Sequence, residues 1–175
     1  MISRLRGEQG FGLIELIVAM TILNIGLLAI VAAFSSSSLA IRRASRTATA
    51  AAIADRQLEI YRGLGWSSIG LDSASVTATD NTYRCDSTLG GSCPNSTTPL
   101  VVAGAPQCVA PLPASCLPTQ ALPGPDRGNY RLDTYVTLVT PPSGRATKVV
   151  TVVVRENGNG SNLLARVVAT FDLSN

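Results

Sequence analysis

Residues 11–34 read FGLIELIVAMTILNIGLLAIVAAF, 24 residues in which Glu15 is the one charge and Thr21 and Asn24 are the other polar side chains. As a helix this run rises about 36 Å, enough to cross a hydrocarbon core of about 30 Å with some tilt. A helix apolar on every face is expected in lipid, since a small domain has no interior large enough to surround it. Ahead of it stands MISRLRGEQG, whose Arg4 and Arg6 form the positive flank that stays in the cytoplasm. A secretory signal has a similar layout. Its apolar core, however, spans only about 7–15 residues, and no Ala-x-Ala site follows the run here.

An acid in such a helix costs about 2.5–3.5 kcal/mol at the bilayer centre and less near an end. Glu15 stands five positions after Gly10 in the string Gly10-Phe11-Gly12-Leu13-Ile14-Glu15-Leu16. In this basic leader ending in Gly, followed by Phe, an LIEL core and an unbroken apolar run, the chain resembles the type IV prepilin family, including type II secretion pseudopilins. The resemblance implies that a membrane-embedded aspartyl prepilin peptidase cuts between Gly10 and Phe11 and N-methylates Phe11. It also implies that Glu15 meets the Phe11 amine of a neighbouring subunit during assembly. Chemistry agrees, because an ammonium and a carboxylate are each poor guests in lipid and neutralise one another between helices. Taken without the motif, Glu15 reads first as a side chain that snorkels to the headgroups. Asn24 reads as an interhelical donor or as a tolerated amide. Two departures from the family pattern are Gly12, where Thr or Ser is usual, and the lack of a mid-segment proline, which leaves Gly26 as the soft point. The second points to a minor subunit.

Beyond the run, Ser35, Ser36, Ser37 and Ser38 read as a polar exit from lipid. The next 25 residues are rich in Ala, Arg, Gln, Leu and Glu, with no Gly or Pro before Gly63, so the helix is expected to run from Phe11 to Arg62. Ala51, Ala54, Leu58 and Tyr61 recur at spacings of three and four and need a sheet to cover them. The string Ala54-Asp55-Arg56-Gln57-Leu58-Glu59 with Tyr61-Arg62 resembles the helix end of minor pilins of the pilus-modification type. Arg42, Arg43 and Arg46 oppose the usual positive-inside bias and read as filament surface charges or headgroup contacts. Three arginines on a solvated helix are a weak basis for a nucleic-acid partner.

Residues 87–125 carry no charge, and eight of the ten prolines lie between Pro94 and Pro125. Such a stretch is neither helix nor central strand. Four cysteines border or lie in it, as Cys85-x7-Cys93 and Cys108-x7-Cys116. That spacing does not suit zinc, and no C-x-x-C redox motif is present, whereas an exported domain is oxidised where disulfides persist. Of the three possible pairings, Cys85 with Cys93 and Cys108 with Cys116 close the shortest rings, each removing on the order of 2–3 kcal/mol of unfolded-state entropy. From Tyr130 the period becomes two. Residues 130–138, 148–155 and 163–173 read as three half-buried strands, turned at Pro141-Pro142-Ser143-Gly144 and at Asn157-Gly158-Asn159-Gly160. Residues 73–78 are a candidate further strand, and 149–154 reads as core first and as a pairing edge second.

The expectation is an α+β, pilin-like fold: one long N-terminal helix on a small antiparallel sheet of three to four strands, with a disulfide-stapled Pro/Gly-rich loop. The segments are a leader at 1–10, a transmembrane and filament-core helix at 11–34, its amphipathic continuation at 35–64, a connecting region at 65–128 and a β-meander at 129–175. With no histidine in the chain, Ser-His-Asp and Cys-His catalysis and His-ligated metal sites are excluded. Asp72, Asp80, Asp86, Asp126 and Asp133 are too scattered in sequence to suggest a catalytic or metal constellation. The chain therefore reads as a structural subunit, without enzyme activity, cofactor or metal. Its expected partners are prepilin peptidase, other pilin or pseudopilin subunits and the cytoplasmic membrane, which it spans once with the C-terminal domain outside before joining a pilus or pseudopilus. The competing reading is a membrane-anchored extracytoplasmic binding module for adhesion or DNA uptake.

Overall fold

A computed structural model describes residues 12–86, 101–142, 144–157 and 162–173. Contacts divide the chain into a first unit ending at Arg43 and a second beginning at Ala44. Helix α1, Leu13–Arg62, runs for 50 residues through both, as the absence of proline and the abundance of Ala and Leu predict. Gly63 ends it, its N–H reaching the Glu59 carbonyl at 3.3 Å. Up to Arg43 every described residue is exposed, whereas from Ala50 onward one stripe is buried, consisting of Ala50, Ala54, Gln57, Leu58 and Tyr61. The stripe follows the expected spacing, with Ala51 only half-buried at its border and Gln57 an unexpected polar member.

The second unit covers that stripe with a four-stranded antiparallel sheet in the order β1-β2-β3-β4. Its strands are β1 (Thr119–Pro123), β2 (Asn129–Val139), β3 (Thr147–Glu156) and β4 (Leu163–Phe171). On the helix-facing side, Leu132, Thr134 and Val136 pair with Val154, Val152 and Val150. Those valines pair in turn with Ala165, Val167 and Ala169 of β4. Together with Ala50, Ala54, Leu58 and Tyr61 they form the main core. Each fully buried aliphatic side chain here contributes about 1.5–3 kcal/mol relative to exposure.

Two expectations about the strands are corrected. Residues 73–78 are not a strand: Ser73–Thr77 form helix α2, because the Asp72 carboxylate caps it, accepting from the Ser75 N–H and hydroxyl at 2.8 Å each. The fourth strand is β1, drawn from the proline-rich stretch; as an edge strand ending at Pro123 it tolerates the missing donor. Residues 149–154 are core, as their first reading expected, and not a pairing edge, since β3 pairs on both sides.

Nor is β2 half-buried. Residues 132–136 are all buried, because helix α3 (Asn81–Arg84) and its flanks cover the far face. Tyr83 stacks on Tyr135 with ring centroids 4.2 Å apart and donates its hydroxyl to the Thr134 carbonyl at 2.8 Å. On the helix-facing side, the Lys148 amine is buried and donates to the carbonyls of Trp66 (2.7 Å) and Ile69 (2.6 Å), sitting 4.3 Å from the Trp66 ring centroid. Desolvation lowers its pKa. Ser143 and residues 158–160 of the two expected turns lie outside the described residues.

Candidate processing and assembly site

The expected cleavage residues Gly10 and Phe11 lie outside the described residues, and Glu15 lies just inside them. The Gly12 carbonyl accepts the N–H groups of Glu15 (2.9 Å) and Leu16 (3.2 Å), so Glu15 sits in the first turn of α1. There the free amides of the helix start favour an acid. Its neighbours are lipid-like: Leu13, Ile14, Leu16, Ile17 and Val18 are all exposed.

The other polar side chains of the run each make one bond within the helix. The Thr21 hydroxyl donates to the Val18 carbonyl at 2.8 Å and the Asn24 amide to the Met20 carbonyl at 2.9 Å. Within-helix bonding of this kind lets a polar group enter an apolar medium. Among the described residues, no side chain bonds to or pairs with the Glu15 carboxylate. Helix α1 is long and apolar enough to cross a membrane, and no residue of its apolar stretch is covered.

In the second unit, Cys108 and Cys116 are disulfide-bonded as expected. Cys85 is disulfide-bonded too, and its expected partner Cys93 lies outside the described residues. The helix end grips the Cys116 loop, with Gln57 donating to the Ala114 carbonyl at 3.0 Å and the Tyr61 hydroxyl to the Ser115 carbonyl at 2.5 Å.

The aspartates are less scattered than the sequence suggests. Asp133 is fully buried on the far face of β2, held by Arg131 Nε at 2.8 Å and Arg155 Nε at 3.2 Å. Arg131 extends to both oxygens of Asp80, and Arg155 reaches Asp86 at 2.6 Å. Burial raises the Asp133 pKa against the pull of both guanidiniums, while the Arg131 hydrogen bond lowers that of Asp80. Three of the five aspartates therefore converge, through two arginines, into an ion-pair network that pins the segment around α3 to the sheet. One legible signal was Arg131 and Asp133 on a single strand face, with Arg155 across the ladder. Among the described residues, no group of three or more His, Cys, Asp or Glu side chains is placed to hold a metal.

Residues 5–31 match the family described as the prokaryotic N-terminal methylation motif. No curated protein and no solved structure matches the chain significantly. The matched stretch contains Gly10, Phe11 and Glu15 and ends within the exposed apolar helix. It supports a prepilin-peptidase substrate of the type IV pilin or pseudopilin kind, anchored in a membrane and able to assemble with other pilin subunits. The chain thus carries, at residues 5–31, the prepilin-type cleavage and methylation segment of the type IV pilin family.

Proposed function

We propose that the chain is a non-catalytic minor pilin or pseudopilin. In this reading it is cut between Gly10 and Phe11, methylated at the new Phe11 amine and assembled through the helix that follows. The observation that carries the reading is Glu15: a carboxylate in an otherwise apolar exposed helix, inside the matched motif, with no partner in its own chain among the described residues. A second helix bringing the Phe11 amine supplies the missing partner and sets the vertical register between subunits. Before assembly the chain spans the cytoplasmic membrane once, with the residues from Ala44 onward outside. Afterwards it resides in a surface pilus or an envelope pseudopilus. The missing mid-helix proline, a departure from the family resemblance, favours a minor subunit.

The intact mass of the mature chain tests the cleavage, which predicts the mass of residues 11–175 plus one methyl group. A purified chain that begins at Met1 overturns it. Glu15→Ala should leave insertion and cleavage intact and lower recovery in sheared filaments by at least tenfold. Equal recovery would remove Glu15 from assembly.

A further inference from the structure

We infer that the two open edges of the sheet pair with each other between copies of this chain, β4 of one copy taking β1 of the next as its missing neighbour. The inference rests on the reading of the chain as an assembling, membrane-anchored subunit, and adds a weaker, directional contact by the sheet to the one made by α1.

Among the described residues β1 pairs only with β2 and β4 only with β3, so the sheet is open at both ends. An open strand presents a row of unpaired N–H and C=O groups, and proteins guard such rows with charges, interior prolines, short length or a covering element. Strand β4 has little of that protection. Its nine residues, LLARVVATF, include one charge, Arg166, and no proline, and Ala165 to Phe171 pair with β3 without a register shift. The core also stops short there. Val150, Val152 and Val154 of β3 are fully buried, whereas their β4 partners Ala169, Val167 and Ala165 are half-buried. On the other face Val168 is 51% exposed. A fifth strand completes both the ladder and that layer of the core.

Parity identifies that strand. The four strands alternate in direction, so β4 runs antiparallel to β1 of its own sheet. A second copy in the same orientation, as chains that cross one membrane in one direction have, therefore brings its β1 alongside β4 in the antiparallel sense. Two β4 strands, by contrast, pair antiparallel only when one copy is turned end for end, which reverses its helix as well. The side chains agree. Strand β1 carries no charge, and its one proline stands at the end. Its Leu122 shares the helix-facing side with Tyr130, and its Ala121 the far side with Arg131. Across the seam Leu122 thus faces the half-buried layer of Val167, Ala121 faces the exposed side of Val168, and no two like charges are opposed. Such a contact is heterologous, because each added copy leaves one edge open and extends a row instead of closing a pair.

The test uses full-length chains in phospholipid vesicles, with single cysteines added on the far face of the sheet; no described cysteine of the chain is free to compete. Chains carrying Ala121→Cys, mixed with chains carrying Val168→Cys and oxidised with copper phenanthroline, should give a covalent dimer on a non-reducing gel. The expected yield is about five times that of either variant alone, since facing residues of paired strands bring their Cβ atoms within about 5.5 Å. Thr170→Lys added to the Val168→Cys chain places a guarding charge on the edge and should lower that yield about fivefold, with the fluorescence of Trp66 unchanged to show that the domain is still folded. A mixture that cross-links no better than its components overturns the inference, as does an undiminished yield with Thr170→Lys. Equal dimer from the Val168→Cys chain alone assigns the contact to β4 against β4 and also overturns it. Failure of the wild-type chain to be retained by vesicles sinks the membrane-anchored reading instead, so the two failures are distinguishable.

Discussion

The same helix serves two solvents. From Leu16 to Phe34 its residues are apolar on all sides apart from Thr21 and Asn24, each of which, like Ser35 just beyond, donates a hydrogen bond back to a carbonyl of the same helix. From Ala44 the helix is apolar on one stripe only, and its polar contacts reach far along the chain, from Gln57 to Ala114 and from Tyr61 to Ser115. An all-round apolar surface needs an apolar surrounding supplied from outside, whereas a stripe needs a sheet supplied by the chain itself. Stability should therefore be concentrated in one unit, and association in the other.

The sharpest way to break that contrast is to truncate one side chain in each unit. Tyr61→Ala removes a fully buried ring and should cost about 3–5 kcal/mol of unfolding free energy. Denaturant titration of the chain in detergent, followed by the fluorescence of the single Trp66, reads the loss. Ile25→Ala, at a residue 68% exposed, should leave that midpoint unmoved; an equal shift would erase the distinction. Next in size is Arg155→Met, which leaves the buried Asp133 with one guanidinium and should cost about 3 kcal/mol, with Arg155→Lys recovering part of it in thermal unfolding. A loss below about 0.5 kcal/mol, the range of an ordinary surface substitution, would show those charges to be solvated.

Cys108→Ser combined with Cys116→Ser should cost about 2–3 kcal/mol through the slackened loop, with the membrane fraction of the chain unchanged. The smallest effect is a pH dependence. Arg131 lowers the Asp80 pKa, so the stabilisation from that contact is present above the ordinary aspartate value near 3.9 and is lost as pH falls through the lower folded value. Asp133 has the opposite sign. Its raised pKa favours the fold on protonation and flattens the acid limb. Asp80→Asn should therefore reduce the acid-side loss of stability by up to about 1 kcal/mol, since the carboxylate is half exposed. An unchanged acid limb would show that the Asp80 contact contributes nothing.

The long helix, its stop at Gly63 and the three meander strands were legible because each rests on a local period that the chain repeats for eight residues or more. Ser73 to Ala78 also reads as a candidate strand, and a single capping carboxylate at Asp72 decides otherwise, which no periodicity shows. Strand β1 was hidden among prolines, since its pairing with Leu132 and Asp133 is set by the partner strand and not by its own residues. Lys148 occupies an apolar position of β3 only because the carbonyls of Trp66 and Ile69 converge on its amine. The burial of β2 on both faces depends on Tyr83, some fifty residues upstream. In the candidate site, Glu15 stood out from sequence as the one charge in the run, whereas the Asp80–Arg131–Asp133–Arg155–Asp86 network required the fold to bring it together.

The grip of Gln57 and Tyr61 on Ala114 and Ser115, directly beside Cys116, makes the hold on the helix end depend on the closed ring. Opening the Cys108–Cys116 bond would leave both acceptors on a longer, slacker loop and weaken that latch.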